Sequence, residues 1–486
     1  MSDEKPSPVR RALAAFRTGR RVGRSSHPVG PSSARPFTRI AAEQLLSRVA
    51  GTSAVPGNEI RLLRDGGENY PAWLAAIAAA QVSVDFENYI VRADATGQRF
   101  ADALIERARA GVTVRVLYDW LGCLATPRRF WQALRDAGVE VRCFNRPRLD
   151  SPLGWLSRNH RKTLRADKVG FVAGLCVGDV WTGTEGVDPW RDTGISLRGP
   201  AVLDLTMAFE SSWRHAGGTA LPTMATPGPV GEVAVRVIGS RPATMGLYRF
   251  DQLIAGIARH TLWLTDAYFV GTTGYVRTLC DAARDGVDVR LLVPGASDIP
   301  VAKALSRAGY RPLLEAGCRV FEWNGPMLHA KTAVADGRWA RIGSSNLNLA
   351  SWMGNWELDV AIEDAGFAGQ LSAMYERDLL DATEIVLDLG RIRAPDRPSG
   401  TMPMRRGSPG RLAAGAVGLG STVTAAITNH RSLGPAEARA TVVGAGILLG
   451  VALILVAIPR LLTIPLSIIA AWLAITLLIR AGRTPH

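Results

Sequence analysis

Two stretches of the chain set a histidine and a lysine two residues apart, with an aspartate five residues beyond the lysine: His160-Arg-Lys162 with Asp167, and His329-Ala-Lys331 with Asp336. The 486 residues hold only seven His and five Lys, and residue frequencies put a chance recurrence of His-x-Lys-x4-Asp on the order of one in 10⁵. In an extended segment, positions i and i+2 share a face, so each motif presents an imidazole beside an ammonium. That pairing suits a phosphodiester. One imidazole held in line can attack phosphorus to give a phosphohistidine. The second can protonate the departing alkoxide and then take a proton from an acceptor alcohol or water. The ammoniums stabilise charge on the non-bridging oxygens, a role metal ions often fill, so no metal is required. Two imidazoles sharing these tasks need opposite protonation states, which neighbouring charges can impose.

His160, Lys162, Asp167, His329, Lys331 and Asp336 form the candidate catalytic set. Within it the aspartates fall where turns begin, at Asp167-Lys-Val-Gly170 and Asp336-Gly337. They are read as fixing the turn and the strand, not as touching substrate. Further along come Gly343-Ser-Ser-Asn346 and Asn355-Trp-Glu357, and in the first half Gly174 and Trp190-Arg-Asp192. Ser344 and Asn346 supply donors suited to phosphoryl oxygens, and Asp192 and Glu357 are carboxylates suited to orienting the histidines. The cysteines, at 123, 143, 176, 280 and 318, form no CxxC pair. They read as reduced thiols, with neither a zinc site nor a cofactor indicated.

The elements that carry these residues alternate. Strand-like runs (Val82 to Phe86, Val112 to Leu117, Leu262 to Thr265, Val287 to Val293) are interleaved with helical patterns such as Phe100 to Arg109 and Tyr275 to Arg284, which predicts an α/β fold. The halves repeat one another. Ala108-Arg-Ala-Gly-Val-Thr-Val-Arg-Val-Leu117 parallels Ala283-Arg-Asp-Gly-Val-Asp-Val-Arg-Leu-Leu292, and Asp136-Ala-Gly-Val-Glu-Val141 parallels Glu315-Ala-Gly-Cys-Arg-Val320. Each is a helix ending at glycine and feeding a strand, so a duplicated α/β unit is predicted.

With these residues in view, the chain resembles the phospholipase D superfamily, and within it the bacterial cardiolipin synthase branch. The resemblance spans about 56 to 390 and rests on Asn159-His-Arg-Lys162, on Met327-Leu-His-Ala-Lys-Thr332 with Asp336, Gly343-Ser-Ser-Asn346 and Glu357, and on Gly199-Pro-Ala-Val202 with Phe209 and Trp213. It implies two tandem α/β/α sandwich domains related by a pseudo-twofold, at 56–220 and 230–390, with both motifs meeting at one cleft. The family pattern has Gly-Gly-x-Asn after the first motif, where this chain has Gly174-Leu-Cys-Val177. The implied activity joins two phosphatidylglycerols, or a related donor and acceptor, into cardiolipin. A phospholipid hydrolase or a nuclease using the same residues, and a silent lipid-binding scaffold, are the alternatives.

Charge separates these partners. The net charge is +14, yet residues 41–390 hold 37 basic and 39 acidic residues. A body without a positive field argues against nucleic acid. The basicity lies in a tail at 1–40, read as disordered, and in a Pro-, Gly- and Arg-rich linker at 391–440. Beyond it, 441–458 and 461–479 carry no charged residue and are separated by Pro459-Arg460. Such runs predict a transmembrane helical hairpin over 441–480. Arg431, Arg439, Arg480 and Arg483 put both of its ends, and the catalytic domains, in the cytoplasm of a bacterial inner membrane.

Overall fold

A computed structural model of the chain describes residues 36–147, 154–388 and 391–393. Its strands are β1 (Val55–Arg64), β2 (Ser83–Asn88), β3 (Thr113–Asp119), β4 (Glu140–Phe144), β5 (Lys162–Ala166), β6 (Val169–Ala173) and β7 (Thr193–Arg198) in the first half. The second half holds β8 (Val233–Ser240), β9 (Thr261–Thr265), β10 (Asp288–Pro294), β11 (Arg319–Trp323), β12 (Thr332–Ala335), β13 (Trp339–Gly343) and β14 (Glu357–Glu363), followed by β15 (Ala382–Asp388) and β16 (Arg391–Arg393). In space the first half runs β1-β7-β6-β5-β2-β3-β4 and the second runs β8-β14-β13-β12-β9-β10-β11, the same order twice. The duplication legible in the sequence is therefore a duplication of topology. The halves are not separate sandwiches, however, because β1 pairs antiparallel with β8 through Val55↔Val235 and Asn58↔Val233 and joins them into one sheet. Buried Asn58 pins this seam, donating from Nδ2 to the carbonyls of Val55 and Val233 and accepting at Oδ1 from the Ala201 amide.

The helices in chain order are α1 (Pro36–Ala50), α2 (Asp65–Ala79), α3 (Ala95–Arg109), α4 (Arg128–Asp136), α5 (Val202–His215), α6 (Gly246–Ile257), α7 (Thr273–Arg284), α8 (Pro300–Ala308), α9 (Tyr310–Glu315) and α10 (Ala365–Leu380). Helices α3 and α7 begin where Asp94 and Thr272 cap the amides of Gly97 and Tyr275, as short polar N-caps do. One apolar core packs Tyr70, Trp73, Phe100 and Trp131 against the first half of the sheet; another packs Phe250, Tyr275, Leu279 and Leu313 against the second. A third lies between the halves, where Val172, Ile195 and Leu197 share a core with Ile342, Val360, Ile362 and Phe367. Burial of apolar surface across that third core holds the halves in a fixed relation.

Two sequence boundaries are corrected. Helix α1 begins at Pro36, inside the expected tail, and is tied down by Glu43 Oε1, which accepts from Arg236 Nη2 at 2.7 Å. The stretch read as linker opens with β16, which pairs with β15. The rest of the tail and linker, and the 441–480 hairpin, lie outside the described residues. Among the described residues no helix is long and apolar enough to cross a membrane.

Asp167 and Asp336 sit at φ 49° and 51°, in the left-handed region that short polar residues tolerate at a turn. Asp167 accepts from the amides of Gln81, Val82 and Ser83 at 2.7 to 3.0 Å, and Asp336 from those of Arg259, His260 and Thr261 at 2.7 to 2.9 Å. Each carboxylate thus locks the start of a neighbouring strand, β2 or β9. Five residues separate it from the motif lysine, roughly 16 Å of extended chain. Asp167→Ala and Asp336→Ala should each lower unfolding free energy by about 1–3 kcal/mol, read from denaturant midpoints. Activity per folded molecule at low temperature should fall less than tenfold; a loss as deep as that of a histidine variant would show a part in the chemistry.

Candidate active site

The motif segments 158–160 and 327–329 run as extended chain ahead of β5 and β12, and each is docked on the opposite half. The His160 amide donates to the Trp356 carbonyl at 2.8 Å and the Trp356 amide to the Arg158 carbonyl at 2.8 Å; the His329 amide donates to the Arg191 carbonyl at 2.7 Å and the Arg191 amide to the Met327 carbonyl at 2.9 Å. Parallel bridges Asn159↔Trp356 and Arg191↔Leu328 result. The residue after each docking partner is the orienting carboxylate. His160 Nδ1 lies 3.0 Å from Glu357 Oε2, and His329 Nδ1 lies 2.8 Å from Asp192 Oδ2. The carboxylates expected from sequence are thus exchanged between the halves: each half supplies the partner of the other half's histidine.

Both carboxylates are themselves held. Ser344 Oγ donates to Glu357 Oε2 at 2.5 Å and Asn355 Nδ2 to Oε1 at 3.3 Å; Trp181 Nε1 donates to Asp192 Oδ2 at 3.1 Å and the Thr193 amide to Oδ1 at 2.8 Å. Ser344, read as a phosphate donor or a histidine-orienting residue, is engaged in the second way. Gly174 is required for the first half's version, since a Cβ there would stand 2.2 Å from Asp192 Oδ1. A buried carboxylate against Nδ1 fixes the proton on that nitrogen and leaves the Nε2 lone pair free.

Lys162 and Lys331 are fully buried and donate to the carbonyls of His160 and His329. Two tyrosines that sequence reasoning missed lie along these couples. The Tyr89 ring is 4.9 Å from that of His160 and 5.2 Å from Lys162 Nζ, and the Tyr268 ring is 6.0 Å from His329 and 5.9 Å from Lys331 Nζ. Their ring faces attract the ammoniums. The signal was their equivalent placement, just beyond β2 and just beyond β9. Tyr268 donates to Asp298 Oδ1 at 2.6 Å.

The electrostatics are those of a buried, charge-balanced cleft. Burial, opposed by Glu357 and reinforced by Lys162 and Lys331, lowers the His160 pKa to about 4. Burial, then Lys331, lowers that of His329 to about 3 against the pull of Asp192. Each histidine therefore feels the lysine of the other half, which places both couples around one space. Burial opposes ionisation of Glu357 and Asp192, yet the histidines and lysines hold both carboxyls below their usual range. Burial also lowers Lys162, to about 8, and Lys331. At neutral pH both imidazoles are therefore neutral, both carboxylates ionised and Lys162 charged.

Asn346 is 5% exposed, its amide nitrogen of the main chain bonded to Ser351 Oγ, and its side-chain Oδ1 has no hydrogen-bond partner among the described residues. That oxygen is an acceptor; the group of the same amide able to donate to a phosphoryl oxygen is Nδ2. By strand pairing the corresponding residue of the first half is buried Cys176, so only one half brings an amide side chain at this place. Asp167 and Asp336 stand apart from this cleft, at the far ends of their strands. Among the described residues no group of three or more His, Cys, Asp or Glu is placed to hold a metal ion.

Comparison with known proteins agrees with this geometry. Residues 73–178 and 253–379 match the family described as cardiolipin synthase, PLD-like domain, and the two matches contain the two motifs. Cardiolipin synthase A of Pseudomonas aeruginosa (strain LESB58) is 35% identical over 72% of this chain and 73% of its own. Cardiolipin synthase of Alkalihalophilus pseudofirmus is 33% identical over 72% and 73%. The crystal structure of phosphatidylserine synthase from Haemophilus influenzae Rd KW20 superposes with a TM-score of 0.57 at 14% identity, covering 71% of this chain and 92% of that one, which shows a shared fold. With two motif couples closed by exchanged carboxylates and relatives of this extent, the chain belongs to the phospholipase D superfamily, in its cardiolipin synthase-like branch.

Proposed function

We propose that the protein is a phosphatidyltransferase that makes cardiolipin and glycerol from two phosphatidylglycerols. The observation that carries this reading is the exchange of carboxylates, which closes two imidazole–lysine couples around one space; the relatives named cardiolipin synthase supply the lipid class. Nε2 of one histidine attacks the donor phosphorus, the P–O bond to the headgroup glycerol breaks, and the other imidazolium gives its proton to the leaving alkoxide. The acceptor's headgroup hydroxyl then returns its proton to that imidazole and attacks the phosphohistidine, which releases the first histidine. Lys162, Lys331 and Asn346 stabilise the non-bridging oxygens. Asp192 and Glu357 position the imidazoles. The apolar stretch 441–480 serves as a membrane hairpin that keeps the cleft at the lipid surface.

The proton for the leaving group follows from charge balance. Two ammoniums face two carboxylates, so a proton on either imidazole adds an uncompensated buried charge. A bound phosphodiester brings one negative charge and makes that proton favourable. Substrate and proton are therefore taken up together.

Full-length protein with phosphatidylglycerol liposomes should yield cardiolipin and glycerol by lipid mass spectrometry; phosphatidic acid as the sole product would replace transfer with hydrolysis. His160→Ala and His329→Ala should each reduce turnover by about 10³-fold or more, and full activity in either would refute the shared cleft. Because kcat/KM reports the free enzyme and kcat the bound complex, the alkaline limb of kcat/KM should fall at lower pH than that of kcat. Glu357→Gln and Asp192→Asn remove a charge that raises the imidazole pKa, so each should move the kcat/KM limb to still lower pH. Limbs that coincide, or move the other way, would contradict proton uptake with substrate.

A further inference from the structure

We propose that Arg158 is the residue that holds the phosphate of the acceptor lipid, an inference that rests on the transferase reading above. Along the extended segment 158–162 the side chains alternate. Asn159 and Arg161 turn one way, Asn159 Nδ2 to Glu87 Oε1 at 2.7 Å and Arg161 to the carbonyls of Glu357, Ala208 and Ser240. His160 and Lys162 turn the other way, against Tyr89. Arg158 shares the face of His160 and Lys162 by the same alternation, and its charge is felt at the Tyr89 hydroxyl. It stands two residues from His160, roughly 6.6 Å of extended chain.

Arg158 is 5% exposed, about as buried as His160 at 8%. Only Nη1 is engaged, 3.2 Å from Asp119 Oδ1, while Nε and Nη2 have no hydrogen-bond partner among the described residues. A buried guanidinium with unused donors is costly. Asp119 does not absorb it, because that carboxylate also accepts from the amides of Leu121, Gly122 and Asn159 at 2.8, 3.0 and 2.9 Å. The unused edge is a planar fork of the kind that takes a phosphate bidentately.

The feature is one-sided. The corresponding residue of the second motif, two before His329, is Met327, apolar and 1% exposed. Of the two motif segments, the one on the His160 side therefore brings a cationic fork, besides the lysines that surround the reacting phosphorus. The acceptor phosphatidylglycerol carries a phosphodiester three carbons from its attacking hydroxyl. A reacting phosphorus at the lysines and a second anion at Arg158 match that short bridge. Water and neutral alcohols have no such anion, so Arg158 selects the lipid acceptor over them.

The test is a product ratio. Phosphatidylglycerol liposomes are treated with the full-length protein and with Arg158→Met, which copies the second motif, and Arg158→Lys, which retains a charge for Asp119. The ratio of cardiolipin to phosphatidic acid should fall at least tenfold in Arg158→Met and less in Arg158→Lys. An equal fall of both products, or an unchanged ratio, would overturn the assignment, since a purely structural arginine moves both together. Soluble sn-glycerol 1-phosphate should inhibit the unaltered protein and lose at least tenfold in potency against Arg158→Met; equal potency against both would overturn the site. A protein that forms only phosphatidic acid refutes cardiolipin synthesis, while the glycerol phosphate comparison still decides whether Arg158 binds a phosphate.

Discussion

The interaction on which the site depends is the bond from each histidine to a carboxylate of the opposite half, Glu357 for His160 and Asp192 for His329. Neither half contains a complete histidine–carboxylate pair. Each motif segment is also tied by a reciprocal pair of main-chain hydrogen bonds to the segment that carries the carboxylate, so imidazole and carboxylate arrive as parts of one docked backbone. Side chains positioned this way need little reorganisation at the moment of reaction. The β1–β8 seam and the shared core between the halves follow from the same demand, because a shift of one half against the other would part both couples at once.

Burial gives the arrangement its chemistry. A histidine in water titrates near 6.5 and a lysine near 10.4; here burial moves all four groups downward, and the carboxylates balance the lysines without protonating the imidazoles. Tyr89 and Tyr268 keep water from the ammoniums and present ring faces in its place. A cleft so balanced is complete only when an anion enters it.

Much of this was legible in the sequence. The spacing of His160 and Lys162, repeated at His329 and Lys331, is a local property of extended chain, and glycine-terminated helices feeding Val112 to Leu117 and Val287 to Val293 mark the duplicated unit. The turn roles of Asp167 and Asp336 followed from their neighbours. What escaped is what depends on contacts across the chain. Nothing in the local pattern pairs Glu357 with a histidine 197 residues away, or separates Asn346 from Ser344, whose hydroxyl bonds to Glu357. The tyrosines escaped because an aromatic residue at a strand end usually reads as core. Pro36 belongs to a helix because that helix packs on α6, although an Arg-, Ser- and Pro-rich stretch precedes it.

The two halves are equal in topology but not in polarity. With β5 and β6 set over β12 and β13, Gly174, Leu175 and Cys176 correspond to Ser344, Ser345 and Asn346, and Phe171 corresponds to Arg341. With Asp192 set over Glu357, Gly194 corresponds to Asp359. In the second half Ser345 Oγ donates to Asp359, which lies 3.1 Å from Arg341 Nη1. The first half has no such network, and its orienting carboxylate is held by an indole instead of a serine. A buried ion pair gives little net stability over apolar packing of the same volume, so stability alone does not account for it in one half. Its consequence is local: it fixes the 343–346 turn by its side chains, and Asn346 Oδ1 is left without a hydrogen-bond partner among the described residues. The corresponding stretch of the first half, Gly174, Leu175 and Cys176, carries no side-chain amide. The uncommitted amide oxygen therefore lies in the second half, while the guanidinium fork proposed to take a phosphate lies in the first. The substrate meets an oriented cleft, although the fold that builds it is a near-symmetric repeat.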